Sequence, residues 1–372
     1  MKPKVVVDAI SLLSPLTGIG RYTYEISSYL RETQELDLDF YYGYYSKKLF
    51  EPTTPLAIKG FKSFIVKNPF FKKIARTLLM NSSKIFASSY ELYWQPNFIP
   101  YKGIKAKKVI TTVHDFSMIL YKEYHSKERV EYFEKFFEQN IYKSNMIITG
   151  SYYTKEEILD RLKFEEKNIK VIYHGINPDI FKPLPSLTSP FNLPKRFILS
   201  VGSIEPRKNL IGLLQAYNRL NKNIKEEYHL VLVGFKGWNN KEILALIEKN
   251  KKYIHYLGYI SDTELAILYN KASLFIYPSF YEGFGLPPLE AMACGTPTII
   301  SNVSSLPEVG GDAVLYCNPY DIEDIKNKIE MVLNDEKLQK SMREKGIQRA
   351  KNFTWEKSAK EHLKLFKEVL KL

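Results

Sequence analysis

Short, nearly continuous apolar runs alternate along this chain with stretches of helical periodicity, stop at a proline-rich segment, and then start again. Val5–Ile10 is the first run, followed by Thr17-Gly18-Ile19-Gly20-Arg21 and a helical stretch to Leu30. Further strand-like runs fall at Asp39–Tyr45, Leu92–Trp94, Val109–Val113, Met146–Thr149 and Lys170–Tyr173. Between them Val130, Phe133, Phe137 and Ile141 recur at helical spacing, and Lys155–Leu162 reads as a shorter helix. An unbroken apolar run suits a parallel strand buried on both faces. Strand alternating with helix therefore predicts a doubly wound parallel sheet.

Pro178, Pro183, Pro185, Pro190 and Pro194 then break any element between residues 177 and 194 and mark a linker. Beyond it, strands at Phe197–Val201, His229–Val233, Ile254–Leu257, Leu274–Tyr277 and Thr298–Ile300 alternate with helices, which predicts a second sheet of the same kind. The expected organisation is an α/β chain of two doubly wound, Rossmann-like domains, residues 1–182 and 183–353, with a last helix within 354–372. Two such domains face each other across a cleft at the carboxyl ends of both sheets, where ligands of open α/β folds bind.

Composition narrows the classes. With 372 residues, 45% of them hydrophobic and 14% aromatic, the chain has enough for two cores, which excludes disordered and low-complexity classes. Cys294 and Cys317 are too few for a disulfide framework or a cysteine-based zinc site and suit a reducing, cytoplasmic compartment. The Val5-Val6-Val7 stretch is too short for a signal peptide, and no window reaches the roughly 20 apolar residues of a membrane span. The expectation is a soluble protein, or one attached to a membrane from outside.

The net charge is +13, and Lys47–Lys108 alone, with 13 Lys+Arg and two Glu, carries +11 of it. Phe61, Phe64, Phe70, Phe71, Ile74, Leu78, Leu79, Ile85 and Phe86 interleave with those bases. This pattern suits a surface facing anionic lipid. Solvated lysine-rich helices over ordinary core aromatics give the same pattern. A nucleic-acid binder would fit the charge, but the chain has no recognition-helix, zinc or RNP motif.

The densest motif runs from Pro278 to Pro297, PSFYEGFGLPPLEAMACGTP. It reads as strand end, glycine-rich turn, a helix with proline near its first turn, and Gly295 as C-cap. Gly283 and Gly285 free the backbone to approach a ligand, and the helix N-terminus offers unpaired N–H groups to a diphosphate. Glu282 in the turn and Glu290 in an otherwise apolar helix need polar partners, such as sugar or ribose hydroxyls. Arg207 and Lys208 follow a strand end and can offset developing phosphate charge. His114 closes an apolar strand beside Asp115. A lone histidine is more often a satisfied core residue, but the strand end favours a functional role. Asp37-Leu38-Asp39 formally matches the D-x-D metal signature of metal-dependent transferases, yet the two Asp open an alternating strand and read better as edge-strand solubility.

Glu282 to Glu290, with the surrounding E-G-F-G-L-P-x-L-E-A-M-A-C-G-T-P, resembles the E-x7-E region of the retaining GT-B glycosyltransferases of family 4. Gly18-Ile19-Gly20-Arg21-Tyr22, Val113-His114-Asp115, Val171-Ile172-Tyr173-His174-Gly175-Ile176-Asn177, Val201-Gly202-Ser203-Ile204-Glu205-Pro206-Arg207-Lys208-Asn209 and Leu257-Gly258-Tyr259-Ile260-Ser261-Asp262 agree in order and spacing. The resemblance implies a GT-B fold, with the final helix crossing back to the first domain. It also implies a retaining, metal-independent transfer with no cofactor besides the nucleotide-sugar substrate. On that basis His114 faces the donor sugar and Glu282 its hydroxyls, Lys208 and Arg207 hold the diphosphate, and Glu290 meets the ribose. Gly18, Gly20, Ser203, Gly283, Phe284 and Gly285 are expected around the donor, Tyr259 and Ile260 at the base through backbone groups, and Arg21 in a structural role. Ser203 stands where many relatives carry Arg, so Arg207 is expected to substitute for it. The motif style is similar to bacterial enzymes that use GDP-mannose to build O-antigen or related surface polysaccharide on a glycan or lipid-linked acceptor. UDP-glucose, UDP-galactose or a UDP-N-acetylhexosamine remain open as donors, as does a non-catalytic nucleotide-sugar-binding scaffold. The basic segment then implies docking on the inner face of the cytoplasmic membrane.

Overall fold

The computed structural model describes residues 2–13, 18–51, 89–184, 188 and 190–372. Residues 52–88, the middle of the basic segment, lie outside the described residues, and the expected lipid-facing surface falls mostly there.

In the first sheet the order is β3-β2-β1-β4-β5-β6-β7, built from β1 (Lys4–Asp8), β2 (Asp37–Tyr41), β3 (Tyr45–Ser46), β4 (Tyr90–Gln95), β5 (Ala106–Val113), β6 (Met146–Thr149) and β7 (Ile169–Val171). All neighbours are parallel except the short β2–β3 pair. Val5, Val6 and Val7 are fully buried, as an apolar run covered on both faces must be. The second sheet has the order β10-β9-β8-β11-β12-β13, from β8 (Phe197–Val201), β9 (His229–Val233), β10 (Ile254–Tyr256), β11 (Leu274–Tyr277), β12 (Thr298–Ser301) and β13 (Leu315–Cys317). β13 was not anticipated, because a three-residue edge strand carries too little periodicity to stand out from its loop.

Strand order reverses between β1 and β4 in one sheet and between β8 and β11 in the other. At such points successive crossovers leave opposite faces and open a crevice at the carboxyl ends. His114 follows β5, the Arg207–Lys208 turn follows β8, and the Glu282 turn follows β11, so these groups sit at those ends.

The helix Trp355–Leu370 packs on the first domain, where Trp355, Ala359, Leu363, Leu365 and Phe366 share a core with Tyr22, Ile26, Leu30 and Trp94. A buried polar chain pins it. The Ser358 carbonyl can only accept, so His362 Nδ1 carries the proton and donates at 2.7 Å. His362 Nε2 is then the acceptor for the Tyr22 hydroxyl at 2.6 Å, Thr112 donates to Tyr22 at 2.9 Å, and Trp94 donates to Thr112 at 3.1 Å. Burial pushes His362 down to about 4, which keeps the ring neutral as this chain requires.

The two crossings between domains run side by side. Ile176 bridges to Thr354, and a Cβ on Gly175 would lie 2.2 Å from the Thr354 carbonyl carbon. Ile176 and Phe181 already belong to the second core, ahead of the boundary expected at 182.

Asp37 and Asp39 are not bare edge-strand acids. β3 covers β2, and Lys47 pairs with both carboxylates, at 2.5 and 3.2 Å.

Candidate active site

Three backbone turns meet at the cleft. After β8, Pro206–Lys208 makes a single 3-10 turn that ends at Asn209, whose φ of 53° is left-handed. The Asn209 side chain donates to the Pro319 carbonyl at 2.7 Å and so holds that strained corner. Arg207 and Lys208 thereby project together just ahead of the helix Leu210–Asn218. After β11, residues 278–285 turn back, and Gly285 at φ 115° opens the helix Leu286–Ala293. Ser305 donates to the Glu282 and Phe284 carbonyls at 2.8 and 3.0 Å, and Ser304 accepts from the Glu282 N–H at 3.0 Å. This loop after β12 fixes the height of Glu282.

Glu282 is buried and shared by two cations. Its Oε1 accepts from Lys208 Nζ at 2.7 Å and its Oε2 from Arg207 Nη1 at 3.1 Å. Burial works against the carboxylate, but Arg207 and Lys208 overcome it and hold the group down at about 2. Arg207 is further gripped by Glu205 at 3.0 Å and by the Tyr281 carbonyl at 2.6 Å. Its guanidinium stays fully charged, because the carboxylates of Glu282, Glu205 and Asp115 outweigh its burial. Burial pushes Lys208 down, Arg207 pushes it further, and the glutamates partly restore it. Its ammonium donates to the Tyr277 hydroxyl at 2.7 Å and lies 5.1 Å from that ring's centre. Among the described residues Arg207 Nε is buried without a hydrogen-bond partner, so one donor of the fork remains for another acceptor.

His114 meets this cluster from the first domain. The Pro96 carbonyl can only accept, so Nε2 carries the proton and donates at 2.7 Å, leaving Nδ1 as an acceptor. Burial lowers the ring's proton affinity and favours that neutral form. The His114 backbone lies so close to the second domain that a Cβ on Gly283 would be 2.0 Å from the His114 carbonyl oxygen. Gly283 thus permits the close approach of the two domains.

The other expected donor residues are spread around this centre. Glu290 is buried in its helix and accepts from the Tyr269 hydroxyl at 3.1 Å. Burial pushes it up to about 7 against the opposing charge of Arg21. Arg21 crosses the cleft to Asp262 at 2.5 Å, so its structural role is an interdomain ion pair. Gly18 and Gly20 are the first turn of the helix Gly18–Thr33, not a free loop, and the position of a Cβ on Gly18 lies 3.9 Å from Leu286. Ser203 and Tyr259 are half-buried near the ends of β8 and β10, whereas the Ile260 side chain belongs to the second core. Phe284 packs edge-on against His174 at 5.0 Å and joins the second core.

Two family descriptions match the chain in succession: Glycosyltransferase Family 4 over residues 16–180 and Glycosyl transferases group 1 over residues 188–349. O-antigen chain mannosyltransferase B of Escherichia coli is 34% identical over 381 residues, covering 98% of this chain and 99% of that protein. The chain belongs to the family 4 glycosyltransferases. Serotype-specific mannosyltransferase WbdA, also of Escherichia coli, is 38% identical over 180 residues, 47% of this chain and 22% of that longer protein. Among solved structures, sucrose-phosphate synthase from Thermosynechococcus elongatus superposes with a TM-score of 0.76 at 20% identity, covering 99% of both chains, and so shares the two-domain GT-B fold.

Several parts of this glycosyltransferase's site were not singled out from sequence. Glu205 balances Arg207, Tyr277 seats Lys208, and Ser304 and Ser305 hold the Glu282 turn. Tyr281 was passed over although it ties the domains. Its hydroxyl donates to Glu157 at 2.6 Å and accepts from the Phe116 N–H at 2.8 Å. Only Glu205 left a trace in the sequence, as a carboxylate two residues from Arg207.

Two outcomes follow. Ala in place of Gly283 should leave both cores folded but lower kcat/KM by roughly 10²-fold or more, since the added methyl must push the Glu282 turn off the His114 backbone. Steady-state kinetics with a folded, monodisperse variant tests this, and a wild-type rate would contradict it. Burial, opposed by Tyr281 and Arg161, pushes Glu157 up to about 7 from an ordinary 4.5. The fold therefore binds this proton more tightly than the unfolded chain, and that contribution is lost as pH rises from about 4.5 through 7. Glu157→Gln, which keeps an acceptor for Tyr281, should gain stability over wild type progressively from pH 5 to 8, by on the order of 1–3 kcal/mol. Thermal unfolding across that range tests the sign.

Proposed function

We propose that this glycosyltransferase moves mannose from GDP-mannose, with retention of anomeric configuration, onto a glycan or lipid-linked acceptor in cell-surface polysaccharide synthesis. The reading rests on the buried Arg207–Glu282–Lys208 cluster, with the His114 backbone packed against the next residue, Gly283. In it two fixed cations face the place where a leaving diphosphate gains charge. The full-length similarity to an O-antigen chain mannosyltransferase supports mannose as the sugar.

The bond from the anomeric carbon to the diphosphate oxygen breaks as the acceptor oxygen bonds to the same carbon from the same face. The acceptor's proton passes to the departing phosphate oxygen, so no protein carboxylate serves as nucleophile. Arg207, with its free Nε, and Lys208 take the developing charge, a stabilisation worth about 10²–10³-fold per donor group in such sites. These two cations supply the charge compensation that a divalent ion supplies in other transferases, so the proposed mechanism uses none. Glu282 keeps both cations aimed and meets the donor sugar, while His114 Nδ1 accepts from a sugar hydroxyl. In this mechanism Glu290 meets the nucleotide ribose.

The acceptor side of the proposal includes contact with an anionic membrane surface through Lys47–Lys108, for which its +11 charge is the argument. Among the described residues no helix is long and apolar enough to cross a membrane.

A thermal-shift comparison of donors tests the assignment. GDP-mannose at about 100 times its Kd should add about 2.7 kcal/mol of apparent stability, and UDP-glucose, UDP-galactose and UDP-N-acetylglucosamine should add far less. Stabilisation by a UDP-sugar alone would contradict the donor, and stabilisation by no nucleotide sugar would overturn the proposal. Glu282→Ala should lower mannose transfer by about 10²–10³-fold.

A further inference from the structure

The mouth of the cleft carries a strip of aromatic rings supplied by both domains. Tyr153 lies 6.2 Å from Tyr281, and Tyr281 lies 5.3 Å from Tyr121. Tyr121 stacks on Tyr124 at 5.7 Å, Tyr124 on Phe280 at 6.3 Å, and Phe280 on Tyr320 at 5.1 Å. Tyr320 is 66% exposed and Tyr153 38% exposed, Tyr121, Tyr124 and Phe280 are half-buried, and Tyr281 is buried beneath them, so the surface open to a ligand is Tyr121, Tyr124, Phe280 and Tyr320, with Tyr153 apart.

This strip is continuous with the reaction centre. Phe280 stands two residues before Glu282, and its N–H donates to the Arg207 carbonyl at 3.0 Å. The Tyr281 carbonyl accepts from Arg207 itself. The strip therefore adjoins the turn that carries Glu282. Tyr121, Tyr124 and Tyr153 come from the first domain, and Phe280, Tyr281 and Tyr320 from the second. The platform exists as one surface only with the domains together, as they are here.

Its chemistry selects the occupant. Five of the six rings are tyrosines, and none of the six is aliphatic. Tyrosine combines a flat apolar face with a hydroxyl that both donates and accepts. A hexopyranose presents the complementary surface, a patch of C–H groups on one face and hydroxyls around its rim. A run of such rings matches a chain of sugars.

We propose that this aromatic strip is the acceptor subsite, on which a mannose-containing glycan lies with its terminal hydroxyl directed at the donor's anomeric carbon. It rests on the glycosyl-transfer reading above and extends it to the acceptor.

The probes are α-linked manno-oligosaccharides of two and six residues. Saturation-transfer NMR without donor should detect binding of the hexamer to the wild-type chain, with transfer from aromatic protons. Tyr320→Ala and Tyr124→Ala should each weaken hexamer binding by about three- to tenfold and weaken dimer binding less, with the Kd for GDP-mannose unchanged. Tyr142, an exposed tyrosine stacked on Phe164 outside the strip, is the control, and Tyr142→Ala should leave hexamer binding unchanged. Equal hexamer affinity in wild type and in both strip variants would overturn the subsite, as would failure of the wild type to bind the hexamer. Hexamer binding that depends on Tyr320 in a chain that ignores GDP-mannose would support the strip and remove the donor assignment instead.

Discussion

One carboxylate shared by two cations in a buried site sets the terms for the cleft. Removing one partner from such a group typically costs 3–5 kcal/mol, because a charge is then stranded away from water. Glu282, Arg207 and Lys208 must therefore be placed together or not at all. Every neighbouring element contributes to that placement: the left-handed Asn209 corner, the two serines after β12, Glu205 behind Arg207, and Tyr277 under Lys208. Formal charges balance within the group, two glutamates against two cations, so on the proposed reading the donors to an arriving diphosphate are aimed in advance and need little reorganisation.

The same cluster explains why the domains are in contact where they are. Gly283 lets the Glu282 turn rest on the His114 backbone, and Tyr281 locks into Glu157 and Phe116. Arg21 with Asp262 and Trp238 with the Tyr124 carbonyl add contacts on either side. With both chain crossings adjacent at Ile176 and Thr354, one part of the molecule can act as a hinge while the other opens.

The architecture was legible because fully buried parallel strands leave unmistakable apolar runs. Met146–Thr149, Phe197–Val201, His229–Val233 and Leu274–Tyr277 stand in the structure as the runs predict. Of the groups with sequence motifs around them, Glu282, Lys208 and Arg207 pair directly, while His114 approaches them through its backbone at Gly283. What stayed hidden was pairing across long separations. Nothing in the sequence marks Glu157 as the partner of Tyr281, or Asp262 as the partner of Arg21, because each pair forms only when two sheets meet. Gly283 hid a role for the same reason: it also permits a close approach to the other domain's backbone, which the local turn does not reveal.

In the proposed transfer Arg207, Lys208 and Glu282 act as one unit, and a double-mutant cycle on Arg207→Gln and Glu282→Gln measures their coupling. If the carboxylate works by aiming the cations, the two losses in kcat/KM overlap, and the double variant is little worse than the poorer single one. The coupling should exceed about 1.5 kcal/mol, within the range found for contacting groups. Strictly additive losses would contradict it, because they would mean that Glu282 and Arg207 contribute to the reaction independently.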